Sequence, residues 1–385
     1  MPPSTSAAFP IWYRQPFKSI YVTLRIFGLI ALLPYWTAYY SVFQRPRASW
    51  TLQESIVVRL IHWLMPLNAM CGLSPLCTDK TRAVPQDELK ETTFVWLSPA
   101  DSSLIRGPAK EGKEVPVRTP GYIWPKGGDL GASGDLVGLF IHGGGYMMGN
   151  GTESYMELAI VRELRKSSKL KNFLSVDYRL SAEACHPGQL LDALAAYSHL
   201  TNTLGIDPAK IVIIGACAGG HLALMLARYI HDEKVLPMPA GIMLFSPWVD
   251  MDIDRQIEKD PSVSRPNSDI DMLSTSHLAN LRFLGTHPAS LLASPLLSAN
   301  RAPSGSYIGY PRTFISVGEC EAFKRECEQL KQAMCTDGVD VLFDEQEDAV
   351  HDFFGCGRGV PSDKARTQVA NRAAEWIDEC NNRLI

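Results

Sequence analysis

A cysteine occupies the centre of a tight, glycine-flanked turn. Gly215-Ala216-Cys217-Ala218-Gly219 follows an apolar, β-branched run at 211–214 and opens a helical stretch. This is the strand-turn-helix arrangement of a nucleophile elbow, G-x-S-x-G, with cysteine in place of serine. The glycines leave room for a strained turn, so Cys217 projects at the end of a strand with its backbone at a helix N-terminus. The positive end of that helix favours both a thiolate and a developing oxyanion. Taken alone, the spacing also fits a packing turn with a buried thiol. A second element separates the two: upstream, another apolar strand ends in His142-Gly143-Gly144-Gly145-Tyr146. Glycine amides exposed there can point at a carbonyl oxygen, with Gly143, Gly144 and Ala218 as the expected oxyanion donors. The chemistry expected is attack on a carbonyl.

With these motifs in view, the chain resembles the hormone-sensitive-lipase-like branch of the α/β-hydrolases, the α/β-hydrolase-3 group. The matching landmarks are HGGGY, the run VDYRLSAE from Val176 to Glu183, GACAGG where the family has GDSAGG, and SPW from Ser246 to Trp248. They fall in the family's order over about 92–382. The resemblance implies an acid after a late strand, which puts Glu321 in that position with Glu319 as its rival. It implies a base some thirty residues later, and His351, in His351-Asp352-Phe353, fits. A Cys217-His351-Glu321 triad would form a thioester acyl-enzyme, resolved by water, an alcohol or an amine. Three readings therefore stand: a cysteine esterase or acyltransferase, a catalytically silent binding module, and a lyase or cyclase on the same scaffold. The family's aspartate is replaced by Ala216, which implies a more apolar pocket floor.

The elements that must position these residues show in the periodicity. Short β-branched runs at 92–97, 115–124, 136–141, 173–177, 211–215, 241–246, 313–318 and 339–343 alternate with helical stretches at 188–203, 219–232, 322–336 and 365–381. Such alternation implies an α/β fold: a mostly parallel sheet with helices on both faces and the site beyond the strands' carboxyl ends. A polar, Pro/Ser-interrupted region over 250–293 reads as a cap insertion. Tyr146, Met147 and Trp248 are the expected pocket residues, and Met148 is expected in the core. His221 reads as packing, and His186 as a solvated or capping loop residue.

Residues 26–43 form an uncharged run of eighteen, flanked by Arg14, Lys18 and Arg25 before it and Arg45 and Arg47 after it. It is just long enough to cross a hydrocarbon core, and aromatic residues crowd its far end. The expectation is a tail and single-pass membrane anchor over 1–50, a helical lid contribution over 51–90, and the catalytic domain over 91–385. Ile56, Val57, Leu60, Ile61 and Leu64 give the lid helix one apolar face. Such an anchor is similar to that of membrane-bound members of the group, fungal ones included, and points to the endoplasmic reticulum. With lid and anchor, the pocket residues suggest an apolar ester or acyl substrate. Hydrophobic residues are 46% and charged ones 20% of the 385, with net charge −4. That composition supports a large core and disfavours nucleic acid as a partner. The nine cysteines are irregularly spaced and show no zinc pattern. No cofactor or metal is implied. Asn150-Gly151-Thr152 matches a glycosylation acceptor, but beside the oxyanion loop it reads as a chance match.

Overall fold

Apolar runs such as IVII at 211–214 can be satisfied only where both faces of a strand are covered. The computed structural model, which describes residues 10–72, 77–131, 135–252, 273–356, 360 and 363–382, places them at the centre of an eight-stranded sheet. The strands are β1 (Thr93–Leu97), β2 (Thr119–Trp124), β3 (Val137–Ile141), β4 (Asn172–Val176), β5 (Ile211–Ala216), β6 (Gly241–Phe245), β7 (Arg312–Gly318) and β8 (Val341–Gln346). Their order across the sheet is β1-β2-β4-β3-β5-β6-β7-β8. β2 runs antiparallel to both neighbours, and every pairing from β4 to β8 is parallel. β3, β5, β6 and β7 are buried along their whole length. The extended stretch expected from 115 enters the ladder only at Thr119.

Two apolar layers cover the sheet. Helices α4 (Gly188–Ser198) and α5 (Ala218–Glu233) and part of α7 (Lys324–Thr336) pack one face. Helices α3 (Leu158–Ser167) and α8 (Asp363–Asn382) pack the other, where Trp376 and Leu164 are fully buried. The α3 helix has no counterpart among the expected elements.

Two N-terminal helices, α1 (Phe17–Val42) and α2 (Leu52–Cys71), form an antiparallel hairpin against this body. Of the region expected as a cap insertion, 253–272 lies outside the described residues. Its later part forms α6 (Leu273–Leu284), which contacts α2. Parallel strands bring every following loop to one end of the sheet. The segments after β3, β5, β6, β7 and β8 therefore meet there.

Candidate active site

Cys217 stands at the turn from β5 into α5 with φ 49° and ψ −117°. A non-glycine residue holds such angles only when its surroundings impose them. The flanking glycines permit the turn. A Cβ on Gly215 would stand 2.3 Å from the Gly219 carbonyl oxygen, and one on Gly219 would stand 2.1 Å from that of Ile141. The Cys217 amide donates to the Phe245 carbonyl at 3.0 Å, and its own carbonyl accepts from the Trp248 amide at 3.0 Å. The elbow is thus pinned to the loop leaving β6.

His351, after β8, and Glu321, after β7, meet at this elbow. His351 Nδ1 lies 3.2 Å from Glu321 Oε2, both side chains buried, and the imidazole is electrostatically coupled to Cys217. Burial opposes a charge on His351, but Cys217 first and Glu321 next favour it more strongly. The balance raises the imidazole well above an ordinary histidine. Glu321 is itself held: Oε1 accepts from the Gly318 amide at 2.6 Å and from the Ser246 hydroxyl at 2.5 Å. Ser246 Oγ in turn accepts the Asp352 amide at 3.0 Å, tying the acid's loop to the base's. Glu319 is engaged elsewhere, accepting the Asp348 amide at 3.0 Å and pairing with Arg47 at 3.4 Å.

The glycine loop packs on the elbow so closely that a Cβ on Gly143 would be 2.9 Å from the Cys217 Cβ. Gly143 departs from its expected use as an oxyanion donor: its amide donates to Glu157 Oε2 at 2.5 Å. Gly144 and Gly145 instead line an apolar pocket with Met147, Met148 and Trp248 from the site loops and Phe323 before α7. Met65 of α2 and Thr275, Ser276 and Ala279 of α6 complete its wall. Two pocket expectations need correction. Met148 lines the pocket, and Tyr146 is fully buried in the core, bonding His221 Nδ1 through its hydroxyl.

His221 also donates from Nε2 to the Leu297 carbonyl at 2.8 Å, and burial lowers it to about 4, so it is a neutral packing group. His142 stacks on Tyr178 at 4.2 Å, and burial pushes it down to about 3. His186 is not a solvated loop residue: it is buried beside Phe283 and His287, and burial lowers it to about 3. Asn150 is likewise buried, its side chain accepting the Thr152 amide at 3.0 Å.

Sequence reasoning missed Glu157 and Ser246 as positioning groups. Glu157 is buried at the start of α3, with the Tyr155 hydroxyl 3.4 Å away and the Asp352 carboxyl as a like-charged neighbour. Burial pushes the carboxyls of both Glu157 and Asp352 up. In the sequence Glu157 shows only as a glutamate just ahead of the apolar run Leu158–Val161.

The family model for the alpha/beta hydrolase fold matches residues 138–355, the span that carries every one of these site loops. The chain belongs to this family. Within it, the chain is 27% identical over 264 residues to an ethyl acetate hydrolase of Pseudomonas putida, covering 64% of this chain and 74% of that protein. It is 35% identical over 98 residues to a versiconal hemiacetal acetate esterase of Dothistroma septosporum, 25% of this chain and 29% of that one. The chain spans about a third of the length of the first curated relatives it matches. An esterase/lipase from an uncultured bacterium shares the fold with a TM-score of 0.60 at 23% identity, over 85% of this chain and 98% of that one.

Proposed function

We propose that the protein is a carboxylic-ester hydrolase or acyl-transfer enzyme that works through Cys217, with His351 as acid–base group and Glu321 orienting it. The observation that carries the reading is the meeting of three groups from three separate loops. They are a thiol on a residue held at φ 49°, an imidazole electrostatically coupled to it, and a buried carboxylate 3.2 Å from the imidazole Nδ1. A binding module has no use for that alignment.

The Cys217 thiolate attacks the acyl carbon; a C–S bond forms and the carbonyl π electrons move to oxygen. The Gly144, Gly145 and Ala218 amides are the proposed donors to that oxyanion. Gly145 takes the place of Gly143, whose amide Glu157 holds. Collapse expels the alkoxide, which takes the proton from His351, and a thioester remains. Water, an alcohol or an amine then attacks the thioester carbonyl and passes its proton to His351 as the thiolate departs.

The pocket walls of Met, Trp, Phe and Ala side chains suit an apolar acyl or alcohol group. Two of the relatives are named for acetate esters, an ethyl acetate hydrolase and a versiconal hemiacetal acetate esterase, and a short acyl group is part of this reading. The apolar α1 belongs to the same reading: the protein associates with a membrane through its N-terminal helices and takes a membrane-partitioning ester. The first test is intact mass after brief exposure to activated short- and medium-chain esters, with Cys217→Ala and Cys217→Ser alongside. One acyl group gained by the parent and absent from Cys217→Ala is expected. Its decay rate in water against added alcohols and amines separates hydrolase from transferase. An adduct that forms equally on Cys217→Ala would overturn the assignment.

A further inference from the structure

The sequence expects α1 to cross a membrane, but the structure builds it into a hairpin that lies along the catalytic body. Three contacts seam α1 to α2 over their length. The Trp63 Nε1 donates to the Arg25 carbonyl at 2.9 Å, the Arg25 guanidinium stacks 4.0 Å over the Trp63 ring, and Arg59 Nε donates to the Tyr40 hydroxyl at 2.8 Å. Both ends are fastened to the body. At the turn, Trp50 Nε1 donates to the Asp348 carbonyl at 2.9 Å and Arg47 pairs with Glu319 at 3.4 Å. At the other end, Arg282 of α6 donates to the Ala69 carbonyl at 2.6 Å and stacks 5.0 Å over Tyr13. To cross a bilayer, α1 would have to break this seam and strip Arg25 and Arg59 of their partners in hydrocarbon.

The face turned away from α2 has its own character. Leu24, Phe27 and Ile30 are each more than 60% exposed, and no charged side chain interrupts that face from Ile20 to Phe43. The hydroxyls along the second half are folded back: Thr37 donates to the Leu33 carbonyl at 2.8 Å and Ser41 to the Thr37 carbonyl at 2.7 Å. That is how a helix hides hydroxyls from an apolar solvent. Charge adds the second observation. Five basic and no acidic residues precede Glu54, in a chain whose net charge is −4. Of these five, Arg47 is paired with Glu319 on the body; a basic segment with an apolar helix face fits an anionic lipid surface.

We infer that the α1–α2 hairpin seats the protein on an anionic bilayer with α1 lying in the plane of the interface, its Leu24–Phe27–Ile30 face sunk among the acyl chains. The inference rests on the membrane association proposed above and gives it a geometry. α2 is then sandwiched between the lipid-facing helix and the pocket it lines through Met65. The pocket stands one helix away from the lipid.

The test is co-sedimentation of the full chain with vesicles of phosphatidylcholine, with and without phosphatidylserine, followed by an alkaline carbonate wash. Leu24→Glu/Phe27→Glu serves as the variant, and Cys217→Ala as a control that separates lipid binding from ester chemistry. Both α1 side chains are exposed, so the variant should keep the parent's circular dichroism and its rate on a water-soluble ester. Expected are sedimentation that rises with phosphatidylserine, release by carbonate, a loss of about tenfold or more in the variant, and no change in Cys217→Ala. Retention through carbonate would mean that α1 spans, overturning the in-plane seating while sparing membrane association. A parent that stays in the supernatant with every vesicle would overturn both. Undiminished binding of the variant would show that another surface meets the lipid.

Discussion

The proton on His351 gives the site a pH signature. Its folded value is raised, with Cys217 the larger cause and Glu321 the second, against the opposing effect of burial. A raised value keeps the imidazolium through neutrality. Its contribution to stability is complete below about pH 6.5, the ordinary histidine value, and is lost as pH rises through the folded value. Because the imidazolium protonates the leaving alkoxide, acylation should hold level through neutrality and fall on the alkaline side. A serine–histidine site, whose base must be neutral, behaves in the opposite sense. Single-turnover acylation measured from acid to alkaline pH decides this, and a rate that climbs steadily through the alkaline range would sink it. NMR titration of the His351 ring in Cys217→Ala should also show the value shifted down, since the larger raising cause is gone.

At the scale of elements, most of what positions these residues was legible. All eight strands and the helices at 188, 219, 322 and 365 were foreseen, because parallel buried strands and amphipathic helices leave different periods. The elbow was legible because only glycine fits where a Cβ would meet carbonyl oxygens at 2.3 and 2.1 Å. What stayed hidden was long-range partnership. Nothing local distinguishes Glu319 from Glu321; Arg47, 272 residues away in sequence, claims one, and Ser246 from the β6 loop claims the other. Gly143 was misassigned for the same reason, its amide being taken by a carboxylate fourteen residues on. That contact carries a prediction. Glu157→Leu strands the Gly143 amide in a buried site and frees the glycine loop, so acylation should fall about ten- to a hundredfold. Glu157→Gln keeps an acceptor and should stay near the parent rate. It should also gain stability relative to the parent as pH rises. A raised carboxyl costs stability above its unfolded value, and the amide has no proton to lose. Rates and urea midpoints at two pH values read both effects; equal losses in Leu and Gln would remove Glu157 from the oxyanion loop's support.

For the whole molecule, the question is whether the N-terminal hairpin is an appendage or part of the hydrolase's cooperative unit. The sequence divides the chain near 50 and again near 90, on the shift from apolar helix to alternating strands. The structure puts Trp50, 2% exposed, into the same apolar layer as Cys320, Ala349, Val350 and Phe353, which flank the catalytic acid and base. Val58 of α2 is in that layer too. An element that shares a core with the site loops should unfold with them. Trp50→Ala should therefore lower the stability of the single unfolding transition by about 3–5 kcal/mol, the usual cost of emptying a buried tryptophan site. Arg47→Ala, whose ion pair with Glu319 is about one third exposed on each side, should cost about 1 kcal/mol or less. Urea unfolding followed by tryptophan fluorescence and by far-ultraviolet circular dichroism checks both. Coincident curves that shift together mean one unit, so that any force on the hairpin at a lipid surface bears on the loops holding Glu321 and His351. A separate early transition in Trp50→Ala would mean that the hairpin only leans on the body. Events at the membrane would then reach the site solely through Met65 in the pocket wall.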